Sequence, residues 1–150
     1  MIYLIGSMRQ PERVREVAAS LRNLGVEVYD DWHAPGPEAD DHWQDYERQR
    51  KRTYQEALAG WHANQVFEMD KRHLDRCSAA ILVLPAGKSG HIELGYVVGL
   101  GKPAFILLDK EPDRYDIMYR FADVVFESLH DMILYFSGDG DLNGDQMELF

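Results

Sequence analysis

Residues 79–108 read AAILVLPAGKSGHIELGYVVGLGKPAFILL, and their pattern is strand, helix, strand. Ala79–Leu84 is almost wholly apolar, as expected of a strand buried on both faces of a parallel sheet. Ser89-Gly90 opens a helix of small and apolar residues that ends before Gly101-Lys102-Pro103, and Ala104–Leu108 is the next strand. Glu93 is out of keeping with this setting. Burying a carboxylate without partners is costly, so Glu93 marks either an ordinary helix terminus or a reactive site.

Working outward, Ile2–Ile5 is a short apolar strand closed by Gly6-Ser7. Pro11 suits a first helical turn, and Val14, Val17, Ala18, Leu21 and Leu24 recur at helical spacing until Gly25. Val26–Tyr29 is a second strand, followed by Asp30-Asp31-Trp32 and the turn Ala34-Pro35-Gly36-Pro37. A long amphipathic helix is expected from a cap at Asp40 or Asp41 to about Leu58, with Trp43, Tyr46, Arg50, Tyr54 and Leu58 along one side. A shorter helical piece covers Asp70–Cys77. Beyond Leu108 come a helix near Asp113–Phe121, a strand Val124–Phe126 and a helix Leu129–Phe136.

Five strands alternating with helices predict an α/β domain over residues 1–136 whose parallel sheet is covered on both faces. The acidic, Gly-rich stretch 137–150 is expected to be a flexible tail.

The formal net charge of −10 argues against general attraction to nucleic acid or to an anionic membrane. The single cysteine, Cys77, excludes an intramolecular disulfide and a Cys-based zinc cluster, and its position at a helix-to-strand junction suits packing. The six histidines show no HExxH or comparable spacing, so neither a metal nor another cofactor is expected. No apolar run reaches membrane-spanning length and no signal peptide precedes Ile2, which points to the cytoplasm.

In open α/β sheets, ligands bind beyond the carboxyl ends of the strands, where strand order reverses. Three polar segments fall there: Gly6-Ser7-Met8-Arg9, Asp30-Asp31-Trp32 and Pro85–Glu93. Placed in the first turn of its helix, Glu93 is expected to be held ionised by the helix terminus, with a lowered pKa that suits a nucleophile. The alternative is that it only complements the helix dipole, with Ser89 as cap. His91 is expected on the helix surface, and Gly95 and Gly99 are expected to let the helix lie close on the sheet.

The ordered set Tyr3-Leu4-Ile5-Gly6-Ser7, Asp70, Ser89-Gly90-His91-Ile92-Glu93-Leu94-Gly95-Tyr96 and Gly101-Lys102-Pro103 resembles the nucleoside 2-deoxyribosyltransferase family from Met1 to about Phe136. The resemblance implies a flavodoxin-like three-layer sandwich with a five-stranded parallel sheet. It also implies a glutamate nucleophile acting on C1′ of a 2′-deoxynucleoside. Glu93 matches that nucleophile, Tyr3 the tyrosine whose hydroxyl holds it, and Asp70 an aspartate near base and sugar. Gly6, Ser7, Arg9, Asp30, Trp32, Ser89, Gly90 and Asp116 then complete the substrate-binding set; Trp32 or Trp43 offers an aromatic face to the base, with core or lid packing the alternative for each. The chemistry of the residues agrees, because a carboxylate beside an oxocarbenium-like centre stabilises and then traps it.

Two departures stand out. The family's second aspartate, shortly before the glutamate, is replaced by Ala86-Gly87-Lys88. The loop Gly6-Ser7-Met8-Arg9 is closer to the related deoxynucleoside 5′-monophosphate N-glycosidases, and Arg9, Arg13 and Lys88 offer charge for a phosphate. Against a phosphate stands Asp116, at a position where the family uses a residue from a neighbouring subunit to reach the sugar's 5′ end. A carboxylate there accepts a bond from a 5′-hydroxyl and repels a phosphate, which favours a free nucleoside and a homo-oligomer. A TIR-like NAD hydrolase and a non-catalytic nucleotide-sensing module are the remaining readings.

The tail carries two further patterns. Asp139-Gly140-Asp141-Leu142-Asn143-Gly144-Asp145 imitates half a calcium loop but lacks the bidentate glutamate at its twelfth position, which is Phe150. Gln146-Met147-Glu148-Leu149-Phe150 resembles the peptide that docks on bacterial sliding clamps, with Gln146, Leu149 and Phe150 as anchors.

Overall fold

The computed structural model describes residues 1–33, 36 and 38–138. The turn at 34–37 is therefore described only at Gly36, and the calcium-like and clamp-like patterns lie outside the described residues. In chain order the elements are β1 (Ile2–Ile5), α1 (Pro11–Asn23), β2 (Val28–Tyr29), a 3-10 turn at Asp31–His33, α2 (Ala39–Gln49), α3 (Tyr54–Leu58) and α4 (Trp61–Arg76). There follow β3 (Ala79–Val83), α5 (Lys88–Gly99), β4 (Ala104–Leu107), a 3-10 turn at Ile117–Phe121, β5 (Val124–Phe126) and α6 (Leu129–Ser137).

The strands pair in the order β2-β1-β3-β4-β5, and every pairing is parallel. This is the flavodoxin-like order, whose reversal point lies between β1 and β3. Successive side chains of a strand go to opposite faces, which divides the interior into two layers. Ile2, Leu4, Ile81, Val83, Phe105 and Leu107 pack with α1 and with Met132 of α6. Tyr3, Ile5, Ala80, Leu82, Ala104 and Ile106 pack with Leu74 of α4 and with Leu94 and Val97 of α5. Parity along β1 therefore puts Tyr3 on the face covered by the helices that bear Asp70 and Glu93.

Between β2 and β3 the structure departs from expectation. The long helix to Leu58 is instead two helices, and α4 begins at Trp61 rather than near Asp70. At the end of α2 Lys51 takes φ 56°, its N–H bonds to the Arg48 carbonyl (2.9 Å) and that of Arg52 to the Glu47 carbonyl (3.1 Å). This double bond pattern closes a helix firmly. Thr53 and Glu56 then form a reciprocal capping box that starts α3. The apolar side drawn through Tyr46, Tyr54 and Leu58 is exposed rather than buried. What α2 buries is Glu47, paired with Arg52 at 2.7 Å. Neither Asp40 nor Asp41 caps α2; both lie in its first turn, after Glu38.

Other differences are smaller. Val26 belongs to the turn closing α1, where its N–H reaches the Leu21 carbonyl (3.1 Å), so β2 has two residues instead of four. The helix expected at Asp113–Phe121 is only the 3-10 turn, capped by Asp116. Cys77 is buried, and its thiol donates to the Leu74 carbonyl at 3.0 Å.

Candidate active site

The first turn of α5 lies against the sheet because Gly90 has no side chain. A Cβ there would sit 3.0 Å from Ile5 Cγ2 and 3.2 Å from Leu82 Cδ1. Gly95 and Gly99 have no such role, since nothing lies within 4 Å of a Cβ added at either, and both are exposed. One side of α5 is thus seated at Gly90, Leu94 and Val97. Glu93 adjoins that seam and is half-buried.

Glu93 comes six residues after the capping residue Gly87, which puts it in the second turn. The helix terminus loses its influence beyond the first turn. Burial, and after it the charge of Asp70, push the Glu93 carboxyl up to about 7. The lowered pKa expected from the sequence is therefore reversed: desolvation outweighs the dipole. Ser89 does not cap α5 either; it is exposed, and Gly87 takes the capping position without a side-chain bond.

Asp70, in α4, is half-buried, and burial raises its carboxyl while His73 opposes the rise. Tyr3 is 1% exposed, and its phenol is pushed far up, first by burial and then by Glu93 and Asp70. The three residues named from the sequence thus share one electrostatic neighbourhood, reached from β1, α4 and α5. Charge joins Tyr3 to Glu93; no hydrogen bond between them occurs among those of the described residues. The Tyr3 ring lies 5.2 Å from that of Tyr29 in β2, and Tyr29 stacks on His73 at 3.9 Å. The charge of Asp70 acts on Tyr3 and Tyr29, and His73 acts on Asp70, so these rings and Asp70 are neighbours.

The loop after β1 is tightly built. Ser7 Oγ accepts from the Arg9 N–H (3.1 Å), and the Ser7 carbonyl accepts from the Gln10 N–H (3.0 Å). A Cβ on Gly6 would stand 2.7 Å from Val14 Cγ2, so only glycine lets this loop pass over α1. The Trp32 indole N–H donates to the Leu4 carbonyl, and its ring packs against both core layers. Trp32 thereby walls the end of β1. Asp30 is buried and accepts from Arg22 Nη2 at 2.7 Å, which braces the end of β2. Arg13 Nη2 donates to the Leu108 carbonyl (3.1 Å), while Arg9 and Lys88 remain exposed.

Asp116 stands apart. It is exposed and accepts from the Met118 N–H at 2.9 Å. Its charge acts on Tyr119, and it is not among the groups that shift Glu93, Asp70 or Tyr3. It lines an open cavity of about 660 Å³ beyond the ends of β3 and β4, with Leu84, Leu108, Arg114, Tyr115 and Tyr119.

No family model matches the sequence, and no curated protein matches it. The structure is similar to that of a 2-deoxyribosyltransferase from the psychrotolerant bacterium Bacillus psychrosaccharolyticus. The TM-score is 0.60 and the identity 19%, over 88% of this chain and 89% of that one. At this identity the likeness establishes the shared α/β fold.

Two features of this region went unread in the sequence. Phe67 precedes Asp70 by three residues, which places both on one face of α4, and it is exposed. That spacing was present in the sequence. His91 is not a free surface residue: its Nε2 meets the Tyr119 hydroxyl at 2.8 Å, a partner 28 residues away that no local pattern announces. Among the described residues no group of three or more His, Cys, Asp or Glu is arranged to hold a metal ion, and no helix is long and apolar enough to cross a membrane.

Proposed function

We propose that the chain is a nucleoside 2-deoxyribosyltransferase-like enzyme that cleaves the N-glycosidic bond of a 2′-deoxynucleoside through a covalent glutamyl-deoxyribosyl intermediate. The observation that supports this reading is the meeting of Glu93, Asp70 and Tyr3 where strand order reverses. In the first step a Glu93 carboxylate oxygen bonds to C1′. The C1′–N bond breaks with its electron pair passing to the base, and the proton that Glu93 gives up on becoming the nucleophile passes through Asp70, which is charged while Glu93 titrates, to the base nitrogen. A nitrogen of a second base, or water, then bonds to C1′ and displaces Glu93, and the proton returns to Asp70. Tyr3, whose phenol stays protonated, lies close enough to steady the Glu93 charge as it returns.

Asp116 gives the preference for a free nucleoside over a 5′-monophosphate, since it accepts from a 5′-hydroxyl and repels phosphate. That its charge does not act on Glu93, Asp70 or Tyr3 supports its being lent to a second copy, which makes the working enzyme a homo-oligomer. Exposed Ile92 (72%) and Ile117 (73%), on α5 and the Asp116 turn, are apolar surface of the kind such an assembly covers.

The test is base release from deoxyadenosine, deoxynucleoside 5′-monophosphates and NAD, each with an acceptor base. Deoxyadenosine is the expected substrate. Glu93→Ala should lower turnover by at least about a thousandfold, and intact-mass measurement should find a deoxyribosyl adduct on wild type only. Turnover of Glu93→Ala at the wild-type rate sinks the mechanism; turnover of the monophosphate or NAD alone transfers the site to the corresponding hydrolase.

A further inference from the structure

His91 and Glu93 are two residues apart on α5, hence on different faces of the helix. The His91 ring is held at both nitrogens. Nδ1 lies 2.7 Å from the Gly87 carbonyl and Nε2 lies 2.8 Å from the Tyr119 hydroxyl. A carbonyl only accepts, so Nδ1 carries a proton, and Nε2 is the nitrogen that bonds to the tyrosine hydroxyl. The rings also stack, 5.7 Å apart and 20° from parallel.

Tyr119 belongs to the 3-10 turn that Asp116 caps, and its N–H meets the Asp116 carbonyl at 3.3 Å. The rest of that turn is loosely attached: Ile117, Met118 and Phe121 are exposed, whereas Tyr119 is half-buried. The His91–Tyr119 bond is thus a specific link between the helix bearing Glu93 and the turn bearing Asp116.

We propose that His91 is a positioning residue whose bond to Tyr119 docks the Asp116 turn onto the Glu93 helix and so sets the grip on the sugar's 5′ end. This rests on the reading of the site given above. It holds whether Asp116 serves its own chain's site or a second copy's, because in both cases the turn must be held at a fixed place.

The experiment compares 2′-deoxyadenosine with 2′,5′-dideoxyadenosine, which lacks the 5′-hydroxyl, in wild type, His91→Phe, Tyr119→Phe and the double variant. Tyr119→Phe removes one hydroxyl and keeps the ring stack, so it reports even where His91→Phe folds poorly. Each single variant should lose about fivefold of the wild-type preference for the 5′-hydroxyl substrate, as for one hydrogen bond. The loss should appear mainly in KM, and the double variant should lose no more than either single one. Amide exchange over residues 113–122 should quicken in both single variants while β1 and β3 stay protected.

Unchanged 5′ preference in an enzyme that depends on Glu93, additive losses in the double variant, or unchanged exchange at 113–122 each overturn the proposal alone. A wild type that turns over no deoxynucleoside overturns it together with the reading of the site.

Discussion

A carboxyl held near 7 is a different instrument from one held ionised by a helix end. Glu93 keeps its proton to higher pH in the folded chain than at its ordinary value of 4.5, because burial and Asp70 both disfavour its charge. Between those two values the folded state binds more protons than the unfolded one, so stability falls as pH rises through this window. Glu93→Gln removes that loss. The urea midpoint of the variant should match wild type near pH 5 and exceed it by a growing margin up to pH 8; a constant margin would show that Glu93 is not desolvated. Asp70→Asn removes the second cause, so a carbon-13 titration of the Glu93 carboxyl should move to lower pH, and the acid limb of kcat/KM with it. Glu93, Tyr3 and Asp70 could be singled out in the sequence through one ordered resemblance, with Asp70 placed by its position before an apolar strand. The sign of the Glu93 shift could not, because it depends on where α5 begins and on how much of α4 covers it.

Helix ends explain which elements were legible. α1 and α5 close with the same bond pattern, through Gly25 (φ 80°) and Gly101 (φ 74°), and glycine at that place is a visible stop signal. α2 closes in the same way through Lys51, where a lysine carries the left-handed conformation and the surrounding Arg48-Gln49-Arg50-Lys51-Arg52 looks like continuing helix. The capping box that starts α3 was likewise present as Thr53 and Glu56 but lay inside that run. The ends of β1, β3 and β4 were legible to within a residue because parallel strands buried on both faces are unbroken apolar words, whereas half-buried β2 is two residues shorter than its apolar stretch. Since the Lys51 backbone is strained for any residue with a Cβ, Lys51→Gly should raise stability by about 0.5–1 kcal/mol. Thr53→Ala should lower it by about 1 kcal/mol through loss of the cap. Both are read from denaturant midpoints, and a destabilising Lys51→Gly would mean that the α2–α3 corner is set by side-chain contacts instead.

At the scale of the whole molecule, the fold gathers Tyr3, Asp70 and Glu93 from three distant parts of the chain, while Asp116 is not among the charges that shift Tyr3 or Glu93. On the function proposed above, one chain therefore holds its nucleophile and proton carrier together, and its 5′-end group apart from them. If two copies share each site, the defects of Glu93→Ala and Asp116→Ala lie on different chains of one site. In a two-fold dimer formed by random exchange, half the assemblies are mixed, and each mixed assembly has one site with both native residues. Mixing the two variants after partial dissociation should then raise turnover above the average of the two alone by up to about a quarter of the wild-type value, while light scattering shows an assembly larger than the 17.3 kDa chain. If Asp116 served the site of its own chain, every site would keep one defect, and the mixture would never exceed the average of its two components.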